Sequence, residues 1–383
     1  VRVSTQRGPT IAGRRLTSAW SIWKEALPAP ITIAARTWTS GGPCSPSSSA
    51  GTCPVSSRFS AIVACAINST EATVQLEGIH HISSITGDAA RNVDFYARVL
   101  GLRMVKKTVN QDDPTVYHLF YADEQGSPGA DLTFFEYPGA RQGRAGAGMV
   151  HTIVLRVGSE ASLDFWRLRL ADEQVDSERT EQGTLRFSDP EGLGYELVVD
   201  ESGDAPLTAV SPDVPEEHAI RGFAGVRAYS AAPERSTALL RDVLGFDGAD
   251  DGLHWESRGE RRGSTYVYDP APEERGLQGA GTVHHVAFAA QDDEIEAWND
   301  RVTKAGRHTS GLVDRFWFRS VYFREPSGVL FELATLGPGF TSDEPLEHLG
   351  ETLVLPPRLE PLRAQIEPAL TPIVNPRAAT SAN

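Results

Sequence analysis

The sequence predicts an α+β fold of four βαβββ modules, closed in pairs into two half-open barrels. Three observations carry this prediction. Apolar strand openings recur four times along the chain, an amphipathic stretch follows each, and every module ends in short β-rich runs. A unit of one helix and four strands cannot cover its own sheet, so modules must close against one another.

The openings are Gly78-Ile-His-His-Ile82, Gly148-Met-Val-His-Thr152, Gly222-Phe-Ala-Gly-Val226 and Thr282-Val-His-His-Val286. Residues 92–100, 162–168, 235–244 and 294–300 are the helical stretches. In the first, Val93, Tyr96 and Leu100 share one helical face. Gly101 and Gly245 then stand where a helix C-terminus favours a left-handed residue. Two closing runs share a signature: Asp189-Pro-Glu-Gly192 leads to Glu196, and Glu325-Pro-Ser-Gly328 leads to Glu332. A Pro-x-Gly turn thus feeds a strand with a carboxylate at its centre.

The chain has 383 residues and a net charge of −15, which argues against a nucleic-acid partner. Its longest apolar stretch, residues 61–67, is far shorter than the roughly 20 residues of a transmembrane helix. Charge is unevenly spread. Residues 1–75 hold seven basic and two acidic side chains, a net of +5, so the remainder carries −20. Cys44, Cys53 and Cys65 all fall in this first segment, which leaves the body without disulfides or cysteine chemistry. Residues 41–51 have linker composition. We therefore read 1–75 as a disordered extension, or a stretch translated from a misplaced start, rather than a targeting peptide. Modules 1 and 2 then form an N-terminal domain over 76–205, modules 3 and 4 a C-terminal domain over 218–340, and 341–383 a tail. The acidic body fits a cytoplasmic protein with no membrane partner, and it is compatible with a homo-oligomer.

Overlaying the openings puts His81, His151, Gly225 and His285 in one slot. Overlaying the closing strands puts Glu136, Glu196, Tyr266 or Tyr268, and Glu332 in another. Histidine and glutamate bind first-row divalent metals, and ligands on strands of separate modules hold an ion rigidly. Module 3 offers neither residue, so its partner shares a vestigial cavity. Pairing modules 1 and 4 offers His81, His285, Glu332 and Glu136; pairing 1 and 2 offers His81, Glu136, His151 and Glu196. The doublets His80-His81 and His284-His285 occur only in modules 1 and 4 and favour the first pairing. Strand alternation sends the members of a doublet to opposite faces. His80 and His284 therefore reach the site only where the strand twists or bulges.

These motifs, with Tyr322-Phe-Arg-Glu-Pro-Ser-Gly-Val-Leu-Phe-Glu332 and the runs 337–344 and 349–357, resemble the vicinal oxygen chelate superfamily. More narrowly they resemble its hydroquinone-type ring-cleaving dioxygenases, over residues 76–372. The resemblance implies Fe(II), or alternatively Mn(II), held by His81, His285 and Glu332, with three adjacent positions open. It implies an extradiol-type ring-cleaving dioxygenase, an oxidoreductase that takes an aromatic diol and O2. By position it implies acid–base or anion-stabilising roles for His80, His284, Arg315 and Tyr322. Phe316, Trp317, Phe318 and Phe340 are candidates for the wall around the ring. Ser83 stands where the family often has threonine. A bound Glu136 would make four ligands and point instead to a glyoxalase-type isomerase or thiol transferase using Ni, Zn or Mn. A metal-free binding protein is the third reading.

Overall fold

Residues 74–374 are those that the computed structural model describes, and they fall into four successive groups of strand, helical segment and three strands. Module 1 holds β1 (Ile79–Thr86), β2 (Arg103–Val109), β3 (Tyr117–Ala122) and β4 (Asp131–Glu136). Module 2 holds β5 (Met149–Val157), β6 (Ser177–Arg179), β7 (Leu185–Ser188) and β8 (Gly194–Val199). Module 3 holds β9 (Phe223–Ser230), β10 (Asp247–Gly248), β11 (His254–Arg258) and β12 (Gly263–Pro270). Module 4 holds β13 (Thr282–Ala290), β14 (Val313–Asp314), β15 (Arg319–Arg324) and β16 (Leu330–Thr335).

The helical segments lie where the amphipathic stretches predict, with one difference. In modules 2 and 4 they are α-helices, Glu160–Asp172 and Ile295–Lys304. In module 1 the helix Ala89–Val93 widens into a π-helical turn over Asp94–Val99, and module 3 has a similar turn over Leu239–Val243. Phe95, Tyr96 and Val99 on this turn are buried in the core, as one apolar helical face would be. Gly101 and Gly245 end these turns with φ of +69° and +73°, the left-handed conformation that their positions require.

The sixteen strands make two eight-stranded sheets, in the orders β14-β15-β16-β13-β1-β4-β3-β2 and β10-β11-β12-β9-β5-β8-β7-β6. Module 4 thus joins module 1, and module 3 joins module 2. The spans 76–205 and 218–340 each contribute four strands to both sheets. At each seam the two opening strands run antiparallel, β1 against β13 and β5 against β9. β14 and β2 remain at opposite edges of the first sheet, so that barrel is half open.

The tail straps the β2 edge. Leu353 bridges Lys107, and Val354 donates its N–H to the Lys107 carbonyl at 2.9 Å. Beside them Lys106, fully buried, reaches Asp343 at 2.8 Å and Glu344, with its ammonium 5.2 Å from the centre of the Trp317 ring. A buried ammonium is tolerated only where such partners replace water. The expected extension over 1–75, its three cysteines and the tail beyond residue 374 lie outside the described residues, except for Val74 and Gln75. No helix among the described residues is long and apolar enough to cross a membrane.

Candidate metal centre

The site arises from the register of the first sheet. His81 on β1 stands opposite Ala287 on β13, Ala287 opposite Glu332 on β16, and Glu332 opposite Tyr322 on β15. Paired residues face the same side of a sheet, and so do residues two apart on one strand. His81, Glu332, Tyr322 and His285 therefore share one face, and Ala287 leaves room between the first two.

Each histidine doublet meets a bulge. Along β1 the partners run from Ile79↔Phe288 to His81↔Ala287, which leaves His80 as the extra residue. Along β13 they run from His285↔Ser83 to Val283↔Ser84, which leaves His284 extra. An extra residue re-aims its side chain out of strict alternation. Both members of each doublet consequently touch: His80 Nδ1 lies 3.0 Å from His81 Nδ1, and His284 Nδ1 lies 2.8 Å from His285 Nδ1.

These contacts assign the tautomers. The Thr335 carbonyl can only accept, so His80 donates Nε2–H to it at 3.1 Å. Neutral His80 then offers Nδ1 as an acceptor, and His81 donates Nδ1–H to it. His81 Nε2 is left with its lone pair facing the centre of the site. Burial, followed by the neighbouring His81, pushes the His80 pKa down to about 3, which keeps it neutral as this relay requires. Burial and then His285 push His284 down to about 3 as well. Such outer histidines orient the inner ring and raise its basicity as a ligand.

Three donor atoms converge. His81 Nε2 and His285 Nε2 are 3.2 Å apart, and Glu332 Oε2 lies 3.1 Å and 2.9 Å from them. Ligand atoms about 2.1 Å from an ion and at right angles lie about 3.0 Å apart, whereas tetrahedral angles give about 3.4 Å. The spacing matches one face of an octahedron. All three side chains are buried, and both Glu332 oxygens lack a hydrogen bond of acceptable geometry. Burial opposes the Glu332 charge, but His81 and His285 outweigh it and hold the carboxyl well below its usual range. A buried carboxylate with two imidazole Nε2 atoms within 3.1 Å of it is a donor set that fits a divalent cation.

The other sequence candidates fall around this triangle. Tyr322 meets the His285 ring edge-on with centroids 5.6 Å apart. Arg315, in the turn between β14 and β15, places its Nε 3.2 Å from the Tyr322 hydroxyl. Burial, then the charge of Glu332, raises the Tyr322 pKa and keeps it a phenol. Phe318 lies 5.3 Å from the His80 ring and 5.2 Å from the His81 ring. Trp317 and Phe340 pack instead around Lys106, and Phe316 is half-buried at the rim. Ser83 Oγ lies 2.6 Å from Thr133 Oγ1.

Two slots of the overlay shift. Glu136 pairs with Thr86 and hydrogen-bonds Thr371 at 2.8 Å, while Thr133 is the residue of β4 that lines up with Ser83 beside the site. Glu136 is three residues further on and faces the other side of the sheet, so it stands apart from the triangle. In module 2 the bulge falls on His151, which makes Thr152 and not His151 the counterpart of the inner histidines. His151 pairs with Asp269 at 2.9 Å, and Glu196 is taken by Thr184 at 2.6 Å and Arg186 at 3.2 Å. Side-chain ion pairs thus fill the second cavity's version of the site.

Sequence spacing missed His118. Its Nε2 lies 2.9 Å from Thr133 Oγ1, its ring sits 4.0 Å from Phe120 and 4.2 Å from Phe135, and burial followed by His81 and His285 lowers its pKa. The His118-x-Phe120 alternation on β3 was the available signal.

A family model described as "Glyoxalase/Bleomycin resistance protein/Dioxygenase superfamily" matches residues 78–197 and 223–333. MhqA of Bacillus subtilis, provisionally named a ring-cleaving dioxygenase, is 42% identical over 318 residues, covering 78% of this chain and all of that protein. The chlorohydroquinone/hydroquinone 1,2-dioxygenase of Sphingobium indicum is 32% identical over 307 residues, or 76% of this chain and 95% of that one. A crystal structure from Bacillus subtilis, provisionally described as a dioxygenase, superposes with a TM-score of 0.74 at 40% identity, covering 78% of this chain and 98% of that one.

Proposed function

This chain belongs to the glyoxalase/bleomycin resistance protein/dioxygenase superfamily, and from that membership we propose that it is an Fe(II)-dependent, extradiol-type ring-cleaving dioxygenase acting on a hydroquinone- or catechol-type diol with O2. The observation that carries the reading is the triangle of His81, His285 and Glu332 donors with edges of 2.9–3.2 Å. Three protein ligands on one octahedral face leave the opposite face for small molecules. The names of the relatives support the aromatic diol as substrate. Mn(II) fits the same donors.

His81, His285 and Glu332 would hold the ion, and a redox-active divalent metal supplies there an electron path between the diol and dioxygen. The chain's own groups do the rest. His80 holds the His81 ring with its Nε2 lone pair inward, and His284 abuts the His285 ring from the equivalent position. Arg315 places a permanent cation beside the site, suited to an oxygen atom that gains negative charge. Tyr322, held as a phenol, can donate one hydrogen bond to the same region. Phe318 presents an apolar face to an aromatic ring. The four-ligand isomerase reading loses its support, because Glu136 faces away and is held by Thr371.

The test is oxygen uptake. Protein purified anaerobically and loaded with Fe(II) should consume O2 in the presence of a substituted hydroquinone or catechol, with the ring absorbance lost in parallel. Stoichiometric bound iron with no uptake across such a panel sinks the proposal.

A further inference from the structure

The two edge hairpins of the first sheet touch across its open mouth. In the loop between β2 and β3, Gln111 Nε2 donates to the Arg315 carbonyl at 2.7 Å, and Asp112 lies 3.0 Å from Arg315 Nη1. Arg315 belongs to the turn between β14 and β15, at the opposite edge of the same sheet. These contacts span a gap that no strand ladder closes. From the tail, Arg358 Nη2 donates to Gln111 Oε1 at 2.8 Å and braces the amide from behind.

The turn so held has little freedom. Phe316 adopts φ +74°, a conformation that a bulky residue keeps only where its surroundings over-determine it. Its N–H bonds Asp314 Oδ1 at 2.7 Å, and Arg315 N–H bonds the Phe318 carbonyl at 2.9 Å. The guanidinium that leaves this turn lies over the Tyr322 ring, with Cζ 5.3 Å from its centre. An arginine side chain has many rotamers, and fixing its backbone and one Nη removes most of them before any substrate arrives. Asp112 is half exposed, so its ion pair alone holds the guanidinium weakly. The Gln111 amide, bonded at both ends, is the firmer point.

We propose that Gln111, braced by Arg358, is a positioning residue that sets the Arg315 guanidinium beside the metal centre. This rests on the diol-cleaving reading of the site. Gln111 acts only through Arg315, and its amide is needed because it donates to one edge of the barrel while accepting from the tail.

The experiment uses the full chain loaded with Fe(II), nitrocatechol as a coloured probe of diol ionisation, and the variants Gln111→Glu, Gln111→Ala, Arg358→Ala and Arg315→Ala. Glutamate keeps the acceptor for Arg358 and loses the donor for Arg315, so it separates the clasp from bracing of the tail. In the wild type the bound probe should ionise at lower pH than it does free. Gln111→Glu and Gln111→Ala should move that ionisation upward, in the direction of Arg315→Ala, with iron content and melting temperature unchanged. Arg358→Ala should give a smaller shift of the same sign. Oxygen uptake in the two Gln111 variants should lose about tenfold in kcat with little change in KM, the mark of a misplaced group rather than lost binding. The proposal is overturned if Arg315→Ala shifts the probe while both Gln111 variants ionise as the wild type does, or if Arg315→Ala shifts nothing. Absence of any probe spectrum on the iron-loaded wild type overturns the diol reading itself, and the clasp falls with it.

Discussion

His81 and His285, 204 residues apart in the chain, bring their Nε2 atoms to 3.2 Å across a single antiparallel seam. Two imidazole Nε2 atoms this close, beside a buried carboxylate, call for a proton or a cation between them. The first prediction follows. Glu332→Gln and His285→Ala should each lower metal affinity by more than the roughly 10–100-fold typical of lost outer partners. Glu136→Gln should leave metal content at the wild-type level. Metal analysis after dialysis against a mild chelator reads all three, and a parallel loss in Glu136→Gln would restore the four-ligand site.

Ala287 occupies the register position between His81 and Glu332 and is fully buried. Ala287→Leu should push an isobutyl group into the space between the donors. We expect a folded protein, destabilised by about 1–3 kcal/mol as overpacked cores are, that no longer retains metal. Thermal melting combined with metal content distinguishes this from general unfolding, in which both would collapse.

Lys106 is fully buried with Asp343 and Glu344 as partners. Lys106→Met removes the cation and leaves the Asp343 and Glu344 carboxylates without its charge. Breaking one side of a buried pair costs about 3–5 kcal/mol. Urea denaturation should show a loss of that order, and limited proteolysis should cut the tail beyond Gly339 earlier than in the wild type. An unchanged midpoint would mean that the strap is held elsewhere.

Asp189 sits in the turn before β8, accepts hydrogen bonds from the Glu191 and Leu193 N–H groups and from the Tyr96 hydroxyl, and burial raises its pKa to about 6. The unfolded value is about 3.9. Between these values the folded protein binds the proton more tightly than the unfolded chain, so this group's contribution to stability rises as pH falls from about 6 toward about 4. Above pH 6 the native state carries the buried charge at full cost. Unfolding midpoints between pH 4 and 7 should show this slope in the wild type, and Asp189→Asn should flatten it.

The modules were legible in the chain because each is a local pattern: an apolar opening, an amphipathic stretch, a Pro-x-Gly turn before a central glutamate. The histidine doublets also pointed to the pairing of modules 1 and 4, and the resemblance of their motifs to a known family supplied the candidate triad His81, His285 and Glu332. Counting along one strand went wrong in two places. A bulge on β5 gives Thr152 the inner slot that counting gave to His151, and the regular pairing of β4 with β1 gives Thr133 the slot that counting gave to Glu136. A single inserted residue reverses which side chains face inward, and only the cross-strand partner reveals it.

The sequence by itself therefore determined the repeat, the residue types that can hold a divalent ion and the family they resemble. Tertiary structure decided that His80 and His284 sit on bulges in contact with the inner rings, that His118 bonds Thr133 beside them, and that Gln111 bonds the Arg315 carbonyl. The bonds of His80 to Thr335, His118 to Thr133 and Gln111 to Arg315 join residues 15 to 255 positions apart, and they depend on how eight strands curve toward one another. Spacing within one segment carries no information about that curvature.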